Sequence, residues 1–495
     1  MPKFMEHPWR RIGLVVLTAL GLILTYYSMP GIFSIVSFAS AFVITLISIL
    51  FLSKRGIGEK PPITILALIL LVPFVVGAIV FIEGLRTWFS ILQVFVAWGL
   101  TVTFWFNFLM VPLAVYHAHL EKKRKDSAFI YPPITVIIPA YNEEKVIEPT
   151  IEALIEADYP APKEVIIVDD GSTDRTAEIA RRYSSKYRWI KVFSKPNGGK
   201  YSAINYGLLF SRNPIIVTID ADTVIGRDAL KEIVKPFENP EVAGVAGNIL
   251  VLNKKNILTK SQAVEYILSI NIMRRAMDIF GTVPVVPGVL GAFRRKIIES
   301  VGNYDPDTVT EDFDITVKNL KAGKIVQASS SAVAYTEAPE TVRDLYHQRI
   351  RWYRGNTQTV LKHRDIPSTK RYGILRALTY PFILMNLFII PFLTFPVWLA
   401  AIASVTFGYW QEITLILLLF IVLEMLHTAL ALDLSGEEKV SLILYAPLLV
   451  VGYKHLIDGF TVKAVIDTIL GREKGEWTRA KRYGAAEKVK LVAQT

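Results

Sequence analysis

The chain has 495 residues, 52% of them hydrophobic, and its mean hydropathy is +0.38. These values exclude a single water-soluble globule of this length and favour several membrane spans, and the length allows a catalytic domain beside them. Cysteine is absent, which excludes disulfides, cysteine-ligated zinc and thiol nucleophiles. The net charge of +11 fits the basic cytoplasmic loops of a membrane protein, and no motif for nucleic-acid binding accompanies it.

Residues 1–120 contain apolar runs that predict about four transmembrane helices. Each run is close to the ~20 residues that an α-helix needs to cross the hydrocarbon core. Basic residues precede the first run, separate the second from the third, and form a cluster at Lys122–Lys125. The positive-inside rule therefore places the N-terminus and the chain after Lys125 in the cytoplasm. The four runs are Ile12–Met29, Phe33–Leu52, Ile63–Phe81 and Trp88–Tyr116.

From residue 121 to residue 340 the pattern changes to that of a soluble α/β domain. Apolar stretches typical of buried strands alternate with stretches of helical spacing, which predicts βαβ units and a parallel, Rossmann-like sheet. The predicted strands are Ile134–Ile138, which Pro139 would end, Glu164–Val168, Trp189–Phe193 and Pro214–Ile219. The predicted helices are Glu143–Ala157, Thr173–Tyr183 and Lys200–Phe210.

Acidic and polar residues follow directly after several of these strands. Ligands of open α/β sheets bind at the carboxyl ends of the strands, so this placement indicates a functional site. Asp220 and Asp222 follow the strand that ends at Ile219, and their carboxylates suit a divalent cation, Mg²⁺ or Mn²⁺, that neutralises a diphosphate. Taken alone, an Asp-x-Asp pair is also common in turns and solvated loops.

Three further segments near the strand ends are candidate nucleotide contacts. Asp169 and Asp170 suit a uracil edge or a ribose, although aspartates in this position also cap helices. The segment with Ala140 and Asn142 offers backbone groups and an amide to a base, or forms an ordinary strand-to-helix turn. Lys200 follows two glycines and offers a point charge to a phosphate, without the spacing of a Walker A motif.

Two later segments supply a candidate base and a candidate sugar platform. A carboxylate from Glu311 or Asp312, before a helix predicted to begin near residue 313, can take a proton from an acceptor hydroxyl or can cap that helix. On a helix, Gln348 and Arg351 share one face and Trp352 lies one turn from Gln348. This arrangement suits a phosphate clamp beside a flat surface for a sugar. Alternatively, these basic and aromatic residues belong to a helix that lies at the membrane interface, which has a similar composition.

Between these motifs, Gly288 and Gly291 flank a short apolar segment. Glycine lacks a Cβ, so both positions allow the backbone to approach a bound sugar or acceptor closely. The arginines that follow, Arg294 and Arg295, are alternatively charges at a membrane surface.

The chain after residue 340 is expected to return to the membrane. Residues 341–372, rich in Arg, His, Tyr and Trp, predict amphipathic helices at the membrane face. Residues 373–458 hold apolar runs. The first of these, Ile374–Phe407, is broken by three prolines and fits two short spans, a re-entrant hairpin, or an interfacial segment plus one span. We favour an even number of crossings, because residues 459–495 form a basic tail that suits the cytoplasm.

Taken in this order, the motifs resemble those of family 2 inverting, processive glycosyltransferases, the group that includes cellulose, hyaluronan, chitin and poly-N-acetylglucosamine synthases. The resemblance covers residues 134–357 and the flanking spans. The segments Gly288–Arg295 and Thr310–Thr316 are most similar to the poly-N-acetylglucosamine branch. The motifs that carry the resemblance are Ile138–Glu143, Asp169–Ser172, Asp220–Asp222, Thr310–Asp312 and Gln348–Trp352.

The resemblance implies a GT-A fold inserted between two groups of transmembrane helices, and a UDP-sugar donor. It also gives roles to individual residues, with Asp312 as the general base beside Glu311. The other implied contacts are Ala140, Asp169 and Asp170 for uridine, Lys200 for the diphosphate, Asp220 and Asp222 for nucleotide and metal, and Gln348, Arg351 and Trp352 for acceptor and pyrophosphate.

Three functions stay open at this point. We favour a plasma-membrane enzyme whose cytoplasmic domain extends a β-linked polysaccharide of the poly-N-acetylglucosamine type and exports it, with a cellulose- or hyaluronan-type polymerase as an alternative. The second is a single-step glycosyltransferase that makes a glycolipid. The third is a non-catalytic membrane protein with a decayed transferase domain.

The expected partners are a UDP-sugar, a growing glycan or lipid acceptor and the lipid membrane, with no nucleic acid. An accessory membrane protein is a further candidate.

Overall fold

The computed structural model describes residues 110–121, 129–435 and 439–472. The chain divides into two compact units. Among the described residues, the α/β unit comprises 129–266, Gly281–Tyr380 and 464–472, and the helical unit comprises 110–121, Ile267–Phe280, 381–435 and 439–463. The predicted helices up to residue 109, the basic cluster at Lys122–Lys125 and the tail from residue 473 lie outside the described residues and stay predictions.

The strands of the α/β unit form one eight-stranded sheet. They are β1 (Ile134–Ala140), β2 (Lys163–Asp169), β3 (Ile190–Ser194), β4 (Ile215–Ile219), β5 (Val224–Ile225), β6 (Val242–Val251), β7 (Leu290–Arg294) and β8 (Ile325–Thr336). Their order across the sheet is β3-β2-β1-β4-β7-β6-β8-β5.

The sheet is mixed rather than wholly parallel. β1 pairs in parallel with β2 and β4, β2 with β3, and β6 with β8. β7 is antiparallel to both of its neighbours, and β5 is antiparallel to β8. The prediction of a parallel sheet was therefore correct for the half from β3 to β4 and wrong for β5 and β7. The regular alternation of strand and helix, on which the prediction depended, ends at Ile219.

The helices of the α/β unit alternate with the parallel strands and then become less regular. They are α1 (Ile147–Glu156), α2 (Thr176–Lys186), α3 (Lys200–Phe210), α4 (Ala229–Val234), α5 (Ile257–Leu268), α6 (Arg295–Ser300), α7 (Glu311–Lys321) and α8 (Val342–Lys362). α1 and α2 begin later than predicted, and α7 begins two residues earlier. α5 continues through a π-helical turn, Ser269–Arg274.

The predicted end of the first strand was also wrong, because β1 continues through Pro139 to Ala140. Its pairing with β4 stops at Ile137, so the missing N–H group of the proline removes no hydrogen bond on that side. On the other side, Ala140 lies opposite Asp169 of β2. The longer strand therefore places Ala140 beside the first aspartate of the candidate nucleotide contacts.

The register of the sheet brings distant parts of the chain to one edge. Ile219, the last residue of β4, lies opposite Leu290 of β7. Asp220 follows Ile219 and Gly288 shortly precedes Leu290, so these two residues leave the sheet at neighbouring points. All five residues of β4 are buried, as expected for a central strand covered on both faces. A rigid apolar core thus supports the edge on which the acidic residues lie.

Two helices of the described residues are long and apolar enough to cross a membrane. They are Leu375–Thr406 and Ile413–Ser435, with hydropathies of 2.1 and 2.5. A helix pair bent by 54°, Val440–Val450 with Tyr453–Ile469, is a third candidate. These assignments follow from length and composition, and the number of crossings predicted from the sequence stays untested.

The first of these helices contains the three prolines because of which the sequence allowed several structures for this segment. Leu375–Thr406 is one helix of 32 residues, not two short spans or a re-entrant hairpin. π-helical turns at Leu375–Thr379 and Met385–Ile389 end within two residues of Pro381 and Pro391. Such turns shift the backbone hydrogen bonds locally, which accommodates a residue without an N–H group.

Candidate active site

Lys200 lies at the centre of a cluster of carboxylates at the carboxyl edge of the sheet. It is the first residue of α3 and follows the Gly198–Gly199 turn. Its Nζ lies 2.7 Å from Oδ1 of Asp220, which follows β4, and 3.1 Å from Oε1 of Glu311, in the first turn of α7. Three segments that are distant in sequence therefore meet at one ammonium group.

The carboxylate of Asp312 is oriented by two backbone N–H groups. Its Oδ2 accepts a hydrogen bond from Gly288 N at 3.1 Å, and its Oδ1 accepts one from Phe313 N at 2.8 Å. Burial, followed by the charge of Glu311, raises the pKa of Asp312 to about 6, against the opposing charge of Lys200. At neutral pH this carboxylate is ionised and is more basic than an ordinary aspartate, as a general base requires.

The ammonium group of Lys200 stays charged in this environment. Burial lowers its pKa, but the nearby Asp220, Glu311 and Asp312 raise it by more, so the pKa lies above its ordinary value. A Cβ at Gly288 would collide with Nζ of Lys200 and lie 3.3 Å from Oδ1 of Asp220. In the structure this glycine therefore lets the backbone approach the ion pair. The sequence had instead suggested that the backbone at Gly288 approaches a bound sugar or acceptor.

Asp222 lies near an aromatic pair formed by Tyr266 and Trp352. Its side chain is almost wholly buried. Burial raises the pKa of Tyr266 to about 12, and the charge of Asp222 is one of the nearby charges that add to this effect. The ring centroids of Tyr266 and Trp352 are 6.5 Å apart and the rings are inclined by 33°. Asp222 and Trp352, which the sequence assigned to one site, thus lie around the same tyrosine.

Asp169 and Asp170 organise the turns at the ends of β2 and β3. Oδ1 of Asp169 accepts a hydrogen bond from Ser172 N at 3.1 Å. Asp170 accepts hydrogen bonds from Lys195 Nζ at 2.6 Å and from the N–H groups of the Gly198–Gly199 turn. Both aspartates therefore bind backbone N–H groups of turns, and neither caps α2, which begins at Thr176 without a side-chain cap. Through the glycine turn, Asp170 also fixes the start of α3, where Lys200 lies.

Asn142 joins the turn after β1 to the turn after β2. Its backbone has a φ of 53°, a conformation that asparagine adopts more readily than most residues. Its side-chain Oδ1 accepts a hydrogen bond from Thr173 N at 2.6 Å, and its own N–H donates to Ser172 Oγ at 2.9 Å. The carbonyl of Ala140 accepts from Asp170 N at 2.8 Å. The two turns thus form one surface, where the sequence places the nucleotide base.

α8 carries the last predicted motif and packs against the segment before α7. A Cβ added to Gly355 would lie 2.5 Å from Oγ1 and 2.8 Å from N of Thr310, so only a glycine permits this approach. Val309 N–H also donates to Oε1 of Gln358, at 3.3 Å. Because Thr310 directly precedes α7, this packing fixes the turn that holds the two candidate catalytic carboxylates.

The predicted motif on α8 has the expected helical arrangement. Gln348, Arg351 and Trp352 all lie within the helix and are each partly buried. In the part of the chain that the structure describes, no group donates a hydrogen bond to the buried Oε1 of Gln348.

A second acidic cluster consists of Asp305, Asp307 and Asp314, whose carboxylate oxygens lie within 4.8 Å of one another. The sequence analysis did not predict this cluster. Lys362 Nζ donates to all three carboxylates at 2.6 to 3.0 Å, and His363 lies 2.8 Å from Asp314. Side chains therefore balance this negative charge. The cluster ties the loop before α7, and α7 itself, to the C-terminal end of α8.

The donor set of the predicted metal site fits a hard divalent cation. Asp220 and Asp222 supply carboxylate oxygens, and Mg²⁺ in particular is commonly held by one or two carboxylates together with substrate phosphates and water. Asp220 is already paired with a cation, Lys200, which shows that positive charge is stabilised at this point.

Sequence reasoning missed several residues that shape this site. Lys195, Gly355 and Arg349 received no role, and neither did the partner of Arg349, Glu265. Lys195 and Gly355 act through contacts with residues far away in sequence, which local spacing does not reveal. The structure brings together Lys200, Asp220, Glu311 and Asp312, as predicted. The turn after β2 is joined to them through Asp170 and the Gly198–Gly199 turn.

Comparison with known families identifies the central part of the chain. Residues 135–302 match the family model for Glycosyl transferase family 2. These residues are a family 2 glycosyltransferase domain. The matched segment includes β1 without its first residue, β2 to β7, the turns after β1 and β2, Lys200 and the Asp220–Asp222 pair. Glu311, Asp312 and the motif on α8 lie beyond it.

Two of the relatives of this glycosyltransferase domain are poly-beta-1,6-N-acetyl-D-glucosamine synthases. One, from Staphylococcus epidermidis, is 32% identical over 237 residues, which are 48% of this chain and 57% of the relative. The other, from Staphylococcus aureus (strain COL), is 33% identical over 239 residues, with the same two coverages. The chain thus spans little more than half the length of these relatives.

A solved structure supports the fold of the domain. The mannosyltransferase from Pyrobaculum calidifontis, in complex with GDP-Man and Mn²⁺, superimposes with a TM-score of 0.51. It covers 74% of this chain and 96% of its own, at 21% sequence identity. Together with the family match, this likeness confirms the predicted GT-A-like fold.

Gly355→Ala is expected to destabilise the α/β unit, because the added methyl group overlaps Thr310. Overpacking of this kind commonly costs about 1–3 kcal/mol. We expect a lower unfolding temperature of the full chain in detergent, measured by differential scanning fluorimetry.

Gly226→Ala is the matched control, since its Cβ would meet no atom closer than 3.4 Å. Thr310→Ala introduced together with Gly355→Ala should recover part of the loss. An unchanged unfolding temperature for Gly355→Ala would contradict a fixed contact between α8 and Thr310.

Proposed function

We propose that the chain is a membrane-bound inverting glycosyltransferase that transfers a sugar from a UDP-sugar to a growing β-linked polysaccharide of the poly-N-acetylglucosamine type. The observation that carries the proposal is the cluster in which Lys200 joins Asp220 to Glu311 beside Asp312. This cluster combines a cation for a diphosphate, carboxylates for a metal and an oriented base. The activity of the two staphylococcal relatives supports the choice of sugar.

The nucleotide binds along the carboxyl edge of the sheet. Uridine lies against the turns that contain Ala140, Asn142 and Asp169, and the diphosphate extends toward Lys200. Asp170 acts indirectly, because its oxygens accept hydrogen bonds from the glycine turn that precedes Lys200. The N–H groups of this turn donate to Asp170, and the lysine at the first position of α3 suits an anion.

Asp220 and Asp222 would hold a divalent cation, Mg²⁺ or Mn²⁺, together with the nucleotide. When bound, the metal supplies positive charge that stabilises UDP as a leaving group. The presence of Mn²⁺ beside GDP-Man in the Pyrobaculum mannosyltransferase supports a divalent metal in a fold of this kind. Lys200, which lies 2.7 Å from Asp220, offers its charge to the diphosphate beside this metal site.

Asp312 accepts the proton of the acceptor hydroxyl. That oxygen attacks the anomeric carbon while the bond from this carbon to the UDP oxygen breaks. A single in-line displacement inverts the configuration, so an α-linked donor gives a β-linkage. The N–H groups of Gly288 and Phe313 hold the carboxylate in a fixed orientation, which reduces the entropy lost in aligning the base.

The acceptor end of the glycan lies against the aromatic pair. Trp352 and Tyr266 offer apolar ring surface to a sugar, and Gln348 lies one turn before Trp352 on the same helix. Arg351 contacts the pyrophosphate. A platform of this kind favours repeated addition over a single transfer, which is the basis for preferring a polymer over a glycolipid product.

The location in the cell is part of the proposal. The apolar helices Leu375–Thr406 and Ile413–Ser435 anchor the chain in the plasma membrane, and the glycosyltransferase unit lies in the cytoplasm, where UDP-sugars are made. The chain exports its product through its own helices, with an accessory membrane protein as a candidate partner.

Asp312→Asn is expected to abolish sugar transfer while UDP still binds, because the amide keeps the shape of the side chain but cannot accept the proton. UDP release from UDP-N-acetylglucosamine with Mg²⁺ or Mn²⁺ measures turnover, and calorimetric titration measures UDP affinity. Asp228→Asn, an exposed position, is the control.

Turnover retained by Asp312→Asn would refute the assignment of the base. The products of the same reaction are then separated on a gel, where the wild-type chain should give a ladder of oligosaccharides. Products with a single added sugar would refute polymerisation and support the single-step alternative.

The raised pKa of Asp312 predicts the pH dependence of transfer. A base with a pKa of about 6 is ionised above that pH and protonated below it, so kcat/KM should fall about tenfold per pH unit below pH 6. Initial rates between pH 4.5 and 8 in the full chain check this, with UDP affinity measured at each pH as the control. A rate that stays constant down to pH 5 would contradict the prediction.

A further inference from the structure

Arg349 belongs to the same motif as Arg351 but lies on a different side of α8. Residues two positions apart on an α-helix differ by about 200° in direction, because the helix has 3.6 residues per turn. Arg349 is 3% exposed, whereas Arg351 is only partly buried. The two arginines therefore have different surroundings, and the pyrophosphate role proposed for Arg351 does not extend to Arg349.

The guanidinium group of Arg349 makes a direct ion pair with α5. Its Nη2 lies 2.7 Å from Oε2 of Glu265, a residue 84 positions earlier in the chain. The carboxylate of Glu265 is itself about three-quarters buried. A buried arginine needs a partner of opposite charge, and this pair satisfies that need.

The same guanidinium group stacks on the proposed acceptor platform. Its Cζ lies 4.5 Å from the ring centroid of Trp352 and 5.9 Å from that of Tyr266. A planar cation above an indole is the most favourable cation–π pair in proteins, and it strengthens when both groups are shielded from water. Trp352 follows Arg349 by three residues on α8, so the helix itself holds the two side chains on one face.

These contacts restrict the orientation of the indole. One face of Trp352 is covered by Arg349, and the ring of Tyr266 lies beside it at 33°. Both aromatic side chains remain partly exposed. A platform held in one orientation before the ligand arrives binds more tightly than a mobile one, because less conformational entropy is lost on binding.

We propose that Arg349, held by Glu265, is a positioning residue for Trp352. It fixes the indole so that the free part of its surface faces the acceptor sugar, and it thereby sets acceptor affinity and the number of sugars added. Arg349 acts through Trp352, and its effect leaves donor binding unchanged. The inference rests on the proposed function, since it concerns the acceptor side of the same site.

The test compares acceptor binding with donor use in the full chain purified in detergent. Arg349→Met keeps the length and apolar part of the side chain but removes the charge, the ion pair and the planar stack. We expect the Kd of a β-1,6-linked N-acetylglucosamine pentasaccharide, measured by calorimetric titration, to rise about tenfold. The KM for UDP-N-acetylglucosamine should stay within about twofold, and the products should become shorter.

Two further variants separate positioning from a general structural role. Glu265→Gln keeps a hydrogen-bonding side chain of the same size but removes the charge that holds Arg349, and should weaken pentasaccharide binding by a smaller factor. Arg349→Lys keeps the ion pair but not the planar stack, and should give an intermediate Kd. Arg343→Met, on the exposed first turn of α8, is the matched control and should leave both affinities unchanged.

The outcomes distinguish this inference from the proposed function. An unchanged pentasaccharide Kd in Arg349→Met and Arg349→Lys would overturn the positioning role, even with normal transfer by the wild-type chain. An equal loss of donor and acceptor affinity would also overturn it. A wild-type chain that binds the pentasaccharide in an Arg349-dependent way but transfers no sugar would support the positioning role and refute the proposed reaction. If Arg349→Met fails to fold, Arg349→Lys and Glu265→Gln decide the question by the same titration.

Discussion

The ion pairs of Lys200 are the constraint on which the rest of the site depends. Asp220, Glu311 and Asp312 gather at the edge of one sheet, and like charges in a shielded place repel strongly. The ammonium group of Lys200 compensates for this repulsion and lies against the first two of them at 2.7 and 3.1 Å. The remaining imbalance is visible in Asp312, whose pKa is raised to about 6 by burial and by Glu311. The same excess of negative charge provides oxygens for a divalent cation.

The surrounding fold keeps this group of charges in place through close backbone contacts. Asp170 holds the glycine turn that begins α3 and thereby aims Lys200. Gly288 brings a strand end against the ion pair and donates a hydrogen bond to Asp312. Gly355 lets α8 pack on Thr310 at the start of α7. The helix that carries Trp352, the proposed acceptor platform, is therefore packed directly against the turn that precedes Asp312, the proposed base.

Much of this arrangement could be predicted from the sequence, because buried parallel strands have a strong local pattern. The strands from Ile134 to Ile219 follow from their apolar composition, and the placement of Asp169 and Asp220 at strand ends follows in turn. The antiparallel β7 could not be predicted, since its direction depends on pairing with β4, whose residues lie about 75 positions earlier. The link between Glu265 and Arg349 likewise spans 84 positions and has no local signal. Local reasoning also assigned Gly288 to a ligand, whereas the atoms that it approaches belong to Lys200 and Asp220.

The affinity of the full chain for UDP, measured by calorimetry in the presence of Mn²⁺ for the wild type and for Lys200→Met, tests the central claim most directly. Lys191→Met, at an exposed lysine paired with Glu164, serves as the control. If Lys200 both balances the carboxylates and receives the diphosphate, its loss should weaken UDP binding by about tenfold or more, while the control keeps its affinity. Equal affinities of the wild type and Lys200→Met, with both chains folded, would contradict the account.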